Sequence, residues 1–419
     1  MSGGGGHDDG PLVPVDEQLA LVLKTVSPLA PLRLGLAEAH GSQLAEDVIA
    51  PISLPPFDNS SMDGYAVRLD DVAGATASHP VSLPVVADIA AGSQQELTLQ
   101  PGLCARIMTG APTPPGTEAV VPLEWTDGGD RQVQIRDAPR AGAYIRRIGE
   151  DLHAGATVLT TGTYLGAAQI GVLAAIGRVE VAVHPRPRVV IVSTGSELAK
   201  PGDELERGQI YESNSYALAA ACREAGAQPY RVGVVRDDPD ELVATLEDYL
   251  IQADMIITSG GVSVGAYDVV KQALSRMGSM SFRRVAMQPG MPQGFGTIGL
   301  DSVPLFALPG NPVSALVSFE VFVRPAIRRL IGSRDLYRPI IHVVLTEPWR
   351  SPAGKRQYVR VQLDHDELVG YQATPIGGPG SHLLSAMSNA HALLVVPEHV
   401  TDLPAGARAS AILLDRRHS

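Results

Sequence analysis

Ile256-Ile257-Thr258-Ser259-Gly260-Gly261-Val262-Ser263-Val264-Gly265-Ala266-Tyr267-Asp268 is the stretch from which the fold can be read. Met255 to Ile257 is an apolar run that reads as the end of a buried strand. It opens into a loop of small residues, Ser259 to Gly265, and then into a helical pattern from Asp268 to Met277. A strand that empties through such a loop into a helix N-terminus makes an anion cradle. Backbone N–H groups point outward, the helix dipole favours negative charge, and small side chains let a phosphate approach. In an open α/β sheet such a ligand sits beyond the carboxyl ends of the strands. The same loop also fits a tight turn that binds nothing. It is neither a P-loop nor a dinucleotide fingerprint, so no particular nucleotide is specified.

On both sides of this stretch strands and helices alternate. Val189 to Ser193, Tyr230 to Val235, Met255 to Thr258 and Phe282 to Met287 read as strands; Thr297 to Leu300 and Leu305 to Leu308 pair around an Asp301-Ser302 turn. Ser213 to Ala225, Pro239 to Ile251 and Asn311 to Ile331 read as helices. The alternation predicts a parallel, three-layer α/β domain over residues 186–335. Upstream, short alternating strands between Gly- and Pro-rich turns predict an inserted β domain over 51–143. Residues 11–50 with 144–185 form an elongated N-terminal region, which includes a helix from Val15 to Val26. The charge-free segment Leu165 to Ile176 reads as a helix buried on most sides, in a core or a subunit contact. After Tyr337, strands such as Ile340 to Leu345 and Ala392 to Val396 predict a C-terminal β domain, barrel-like, over 336–419. Residues 1–10 read as a disordered tail.

The 419 residues suggest about three domains, on a prior of roughly 150 residues each. Acidic residues outnumber basic ones, 45 to 33, for a net charge of −12, which argues against bulk nucleic-acid binding. Two distant cysteines, Cys104 and Cys222, offer no metal spacing or disulfide framework and fit a reducing compartment. No apolar run is long enough for a bilayer. The expectation is a cytoplasmic protein.

Several strand ends carry chemistry-bearing groups. Thr194 and Glu197 follow the first strand, Asp237 the second, and Gly260, Gly261, Ser263, Gly265 and Asp268 the third. The Gln288-to-Gly294 segment and Pro309-Gly310-Asn311-Pro312, with Ser314 beyond it, follow others. In a parallel sheet these tips share one edge, giving a cleft of carboxylates, hydroxyls and free N–H groups. Carboxylates beside a phosphate site usually mean a bridging Mg²⁺. Asp238 before Pro239 reads instead as a helix cap. Arg146, Arg147, Glu150 and Asp151 read as a surface ion-pair cluster. His382 and His391 read as surface or packing residues.

Six motifs occur in order: Ser61-Met62-Asp63-Gly64-Tyr65-Ala66, Met108-Thr109-Gly110-Ala111, Arg147 to Asp151, Ser193 to Leu198, Ser259 to Gly265, and Leu308 to Ser314. Together they resemble the molybdopterin molybdenumtransferases, the family that includes the gephyrin E-domain. The resemblance covers nearly the whole chain after the glycine tail. It implies a homodimer that inserts molybdate into adenylylated molybdopterin with release of AMP, dependent on Mg²⁺. It implies that Asp63, Thr109 and Asp151 come from the partner subunit, and that Glu197, Asp237 and Asp268 hold the metal. Thr194, Gly260, Gly261, Ser263, Gly265, Pro309, Gly310, Pro312 and Ser314 would line the nucleotide, while Ser381 and Lys355 or Arg360 would approach molybdate. An upstream adenylyltransferase would supply the substrate. The chain departs from the family at Gln288-Pro289-Gly290-Met291-Pro292, where lysines are frequent at the first and fourth positions; Arg283 or Arg284 are candidates to compensate. The alternatives are a weak paralogue, a dimeric scaffold, or the adenylyltransferase itself.

Overall fold

The structure, a computed structural model, describes residues 11–260 and 267–414. Contacts divide it into two units: Arg33–Thr161 with Leu165–Val181, and the remaining described residues. No helix among the described residues is long and apolar enough to cross a membrane.

Helix α1 (Val15–Thr25) belongs to the larger unit. Asp16 and Glu17 occupy its first turn and Lys24 its last, each favourable to the helix dipole. The sequence groups it with residues up to 50; the structure packs Val15, Val22 and Val26 into the main core of the α/β layers.

The smaller unit contains strands β1 (Gly64–Val67), β2 (Val81–Ile89), β3 (Cys104–Ile107), β4 (Ala119–Pro122) and β5 (Gln132–Ile135), in sheet order β4-β1-β3-β2-β5. Alternate residues face opposite clusters. Tyr65 packs with Leu83, Val121 and Ile135, whereas Ala66 packs with Ile107 and Val120. Helix α2 (Ala167–Ala175) lies in the segment read as buried in a core or a subunit contact; in the single chain Leu173 is its one buried residue, with Leu165 and Ile176 buried beside it. Its other positions are mostly alanine and glycine, so leaving them exposed sacrifices little apolar area.

The larger unit holds β6 (Arg188–Thr194), α3 (Asn214–Ala225), β7 (Gln228–Val235), α4 (Pro239–Leu250), β8 (Met255–Ser259) and α5 (Tyr267–Met277). There follow β9 (Gly278–Arg284), β10 (Pro292–Ile298), β11 (Val303–Leu308), α6 (Pro312–Ser318) and α7 (Arg324–Leu330), the last two joined by a π-helical turn, Phe319–Val323. The sheet order is β7-β6-β8-β11-β10-β9. Val189 and Ile191 face the core that includes residues of α3 and α7, while Val190 and Val192 face the core shared with α4 and α5. Helices therefore cover both faces, and the three-layer expectation holds. The all-parallel expectation does not. β7, β6, β8 and β11 run parallel, but β10 is antiparallel to both β11 and β9. The turn between Ile298 and Val303 is too short for a crossover and forces the reversal.

Beyond it, β12 (Ile340–Leu345), β13 (Arg356–Asp366), β14 (Gly370–Pro375), β15 (Ala392–Val396) and β16 (Arg408–Leu413) close a five-stranded barrel. The ring runs β13-β14-β12-β16-β15 and returns to β13 through the Gln357–Val396 to Val361–Ala392 ladder. Closure leaves no free sheet edge among these strands. Met287 and Gln288 pair in parallel with Arg356 and Gln357 of β13.

Candidate active site

The tips of β6, β8 and β11 are drawn together because small residues permit it. Gly260, at φ +107°, lies so close to Thr194 that a Cβ would run into the Thr194 carbonyl. A Cβ on Gly310 would stand 3.4 Å from the Gly260 Cα. Asn214, at the start of α3, locks the arrangement: its side-chain amide donates to Ser259 Oγ at 2.8 Å and to the Gly310 carbonyl at 2.7 Å. Behind it, Glu212 is 4% exposed and accepts bonds from Ser193 Oγ at 2.9 Å, Ser215 N–H at 2.7 Å and Ser215 Oγ at 2.7 Å. Sequence reasoning missed Glu212 and Asn214. Their signal was a carboxylate three residues before a serine at a helix start, the geometry of a local cap.

Above these tips opens a cavity of about 700 Å³. The strand tips form one wall, with Thr194, Glu197, Asp237, Gly260, Pro309, Gly310, Pro312 and Ser314. Lys355, beside β13, and Ser381 and His382, between β14 and β15, contribute the barrel wall. The segment from Met287 to Pro292 joins the two. Because β10 is antiparallel, it is that strand's beginning, rather than its end, that reaches the shared edge.

The carboxylates are held unequally. Asp237 accepts the Ser196 N–H at 3.3 Å through Oδ2, whereas its Oδ1 is buried with no hydrogen-bond partner. Thr194 Oγ1 is likewise buried and unpartnered. Glu197 is exposed and folds over the preceding turn, its oxygens 2.7 and 2.9 Å from where a Cβ on Gly195 would sit. An orphaned carboxylate oxygen is costly to bury unless a ligand completes it. Among the described residues no group of three or more Asp, Glu, His or Cys could hold a metal by itself.

On the barrel wall, Lys355 is the one lysine or arginine among the described cavity-lining residues. Arg360 does not line this cavity. It is 4% exposed and donates to the carbonyls of Gly378 and Gly380, bracing the loop that carries Ser381. Burial lowers its pKa from the ordinary arginine value. Ser381 is pinned from the other side, accepting from Asn311 Nδ2 at 3.0 Å, while its carbonyl accepts the Val313 N–H. Gln288 and Met291 do line the cavity. Arg283 and Arg284 do not: Arg283 bonds Ser281 and Glu17, and Arg284 lies 3.9 Å from the Met291 sulfur. Gly261, Ser263 and Gly265 lie outside the described residues, as does the side chain of Asp268. Asp238 is the helix cap the sequence suggested, accepting from Asp240 and Glu241 N–H. The Glu241 N–H first, then that of Asp240, holds its carboxyl below the usual range.

In the smaller unit, Asp63 Oδ1 accepts both the Thr109 N–H at 2.7 Å and the Thr109 hydroxyl at 2.8 Å. These bonds, the backbone one foremost, hold Asp63 below the ordinary carboxylate range. Arg147 pairs with Asp58 at 2.6 Å, and its own N–H donates to Glu150. Asp151 is exposed, with its N–H bonded to the Leu54 carbonyl.

The cavity thus sits at the strand tips of a three-layer α/β domain, where open α/β sheets bind ligands, with acids on one wall and a barrel-borne lysine on the other. Comparison with known proteins makes this specific. Three family models match in succession: the MoeA N-terminal region (domains I and II) at residues 13–177, the probable molybdopterin binding domain at 190–329, and the MoeA C-terminal region (domain IV) at 342–414. The chain belongs to the MoeA family. It is 50% identical over 402 residues to molybdopterin molybdenumtransferase 2 of Mycobacterium tuberculosis, covering 94% of this chain and 98% of the relative. It is 41% identical to a molybdopterin molybdenumtransferase of Nostoc, covering 88% and 85%. The crystal structure of a molybdopterin biosynthesis MoeA protein from Pyrococcus horikosii superposes with a TM-score of 0.83 at 31% identity, covering 96% of this chain and 99% of that one.

Proposed function

We propose that this chain is a molybdopterin molybdenumtransferase, which inserts molybdate into adenylylated molybdopterin, releases AMP and so forms the molybdenum cofactor. The observation that carries the reading is the cavity itself, lined on one wall by Asp237 and Glu197 and on the other by Lys355 and Ser381. Gly260 and Gly310 line the cavity without side chains, so a phosphate group could approach the backbone there. Glu197 and Asp237, with Asp268, would hold Mg²⁺. Such an ion is normally bound by a carboxylate or two plus substrate phosphates, so the absence of a three-acid cluster among the described residues is compatible with it. Bound there, Mg²⁺ would neutralise charge on the leaving phosphate. Lys355 and Ser381 would orient molybdate, and buried Arg360 would keep the Ser381 loop in place. The protein's work is positioning and charge, because the pterin's sulfurs supply the covalent chemistry.

Asp63, Thr109 and Asp151 would complete the site from a second subunit. The charge-free face of α2, mostly alanine and glycine, would lie in such a homodimer contact. An upstream adenylyltransferase would deliver the substrate. The cavity also favours a qualification of the same activity. Glu197 and Asp237 line the same cavity as Lys355, and tungstate, a dianion of the same charge and shape as molybdate, is the competing oxyanion. Purified protein with adenylylated molybdopterin, molybdate and Mg²⁺ should release AMP. Glu197→Gln and Asp63→Asn should each slow that release by about a hundredfold or more. Unchanged release in both variants would refute the assignment.

A further inference from the structure

Tyr211 stands on the cavity wall with 46% of its surface exposed, the one Phe, Tyr or Trp among the described lining residues. An aromatic ring left open to water is ordinarily mobile and gains nothing from its position. This one is fixed from three sides. The Ile210 N–H donates to the Glu197 carbonyl at 3.0 Å, and the Glu212 N–H to the Ala199 carbonyl at 2.9 Å, so the backbone on either side of Tyr211 is laddered to the strand that follows Glu197. The Glu212 side chain is itself buried and bonded to two serines. At the far end of the ring the phenol donates to the Asp203 carbonyl at 2.9 Å.

An immobilised ring on the wall of the cavity that Glu197 also lines is placed to receive a flat group of the ligand. We propose that Tyr211 is a stacking platform for a planar heteroaromatic ring of the substrate. The inference rests on the reading of the cavity as the site of an adenylylated pterin, which offers two such rings. Stacking needs no hydrogen-bond readout, only a fixed π-face, and losing it by truncation typically costs about tenfold or more in affinity. The phenol's bond to Asp203 holds the face in place but does not itself touch the ligand. Tyr211 is on this account a positioning residue that acts in binding.

The test compares Tyr211→Phe, which keeps the ring, with Tyr211→Leu, which keeps the apolar bulk. Equilibrium binding is measured separately for AMP and for molybdopterin, alongside steady-state AMP release. Tyr211→Leu should weaken whichever of the two ligands stacks by about tenfold and raise KM for the adenylylated substrate similarly, leaving kcat and the KM for molybdate within about twofold. Tyr211→Phe should stay within about threefold of the parent. The proposal is overturned if the leucine variant binds both ligands like the parent, if both variants lose affinity equally, or if the parent binds neither ligand. If the parent binds AMP or molybdopterin and the leucine variant does not, but no molybdate-dependent AMP release occurs, the platform stands and the transferase reading fails.

Discussion

The two walls of the cavity are built by opposite means. The strand-tip wall is made by subtraction: Gly260 and Gly310 let three tips touch, and Asn214 ties them together. Its acids are left partly unsatisfied, as the Asp237 oxygen demonstrates. The barrel wall is made by addition. A long side chain, Arg360, is buried to brace one loop, and Lys355 is left free of any such task at the cavity. Unmet polar groups thus gather where a phosphate and a metal would bind, while the opposing wall is self-satisfied apart from a single ammonium. Preorganised polarity of this kind is how a site discriminates without moving.

The comparison breaks most completely if the walls come apart. Glu320, on the π-helical turn after α6, is 7% exposed at its side chain and pairs with Arg324 at 2.6 Å and with Arg338 at 2.8 Å. Arg338 leads into the barrel and also donates to the Leu414 carbonyl. Glu320→Gln would leave Arg324 and Arg338 with only Glu224, a largely exposed carboxylate at 3.6 and 2.8 Å, as their counter-charge. Chemical denaturation should register a loss of about 3 kcal/mol or more. A loss under about 1 kcal/mol would mean the network is spectator.

The charge contrast can be sharpened instead. Gln288→Lys with Met291→Lys adds two cations between the walls. The molybdate KM in AMP release should fall about tenfold with kcat little changed. An unchanged KM would place the oxyanion elsewhere. The smallest effect concerns the other unit, where Asp63 has both satisfied bonds on one oxygen. Its folded pKa is depressed, so the stability it contributes is present above the unfolded aspartate value of about 3.9 and is lost as pH falls through the folded one. Thr109→Val removes the hydroxyl donor but keeps the N–H. The Asp63 carboxyl titration, followed by NMR, should move up toward the ordinary value, and the variant's stability deficit should begin to shrink as pH falls below about 4 and vanish only below the parent's depressed Asp63 value.

Much of the fold was legible because it rests on local grammar. The β8 strand, the α3 helix with Gly226 at φ +101° closing it, and the barrel strand Ala392–Val396 fall where apolar runs and turn residues put them. What escaped was set by partners far along the chain. The sequence starts a strand at Phe282, yet β9 begins at Gly278, where Gly296 across the ladder lets the strands approach more closely than a side chain would allow. Of the candidate site, the strand tips were legible from glycine and proline spacing. The fate of Arg360 was not: whether an arginine faces a ligand or a pair of carbonyls depends on a loop twenty residues downstream.

The short ladder between Met287–Gln288 and β13 carries one more implication. The same segment is gripped on its other side by Val13, which donates to the Arg284 carbonyl and accepts the Ala286 N–H. It is a seam sewn to the barrel, to the α/β sheet through β10 and to the residues before α1 at once. Any tilt of the barrel that widened the mouth would have to tug this seam, and with it Gln288 and Met291, across the entrance. A change made in this seam is therefore transmitted to the barrel, the sheet and the chain before α1 together.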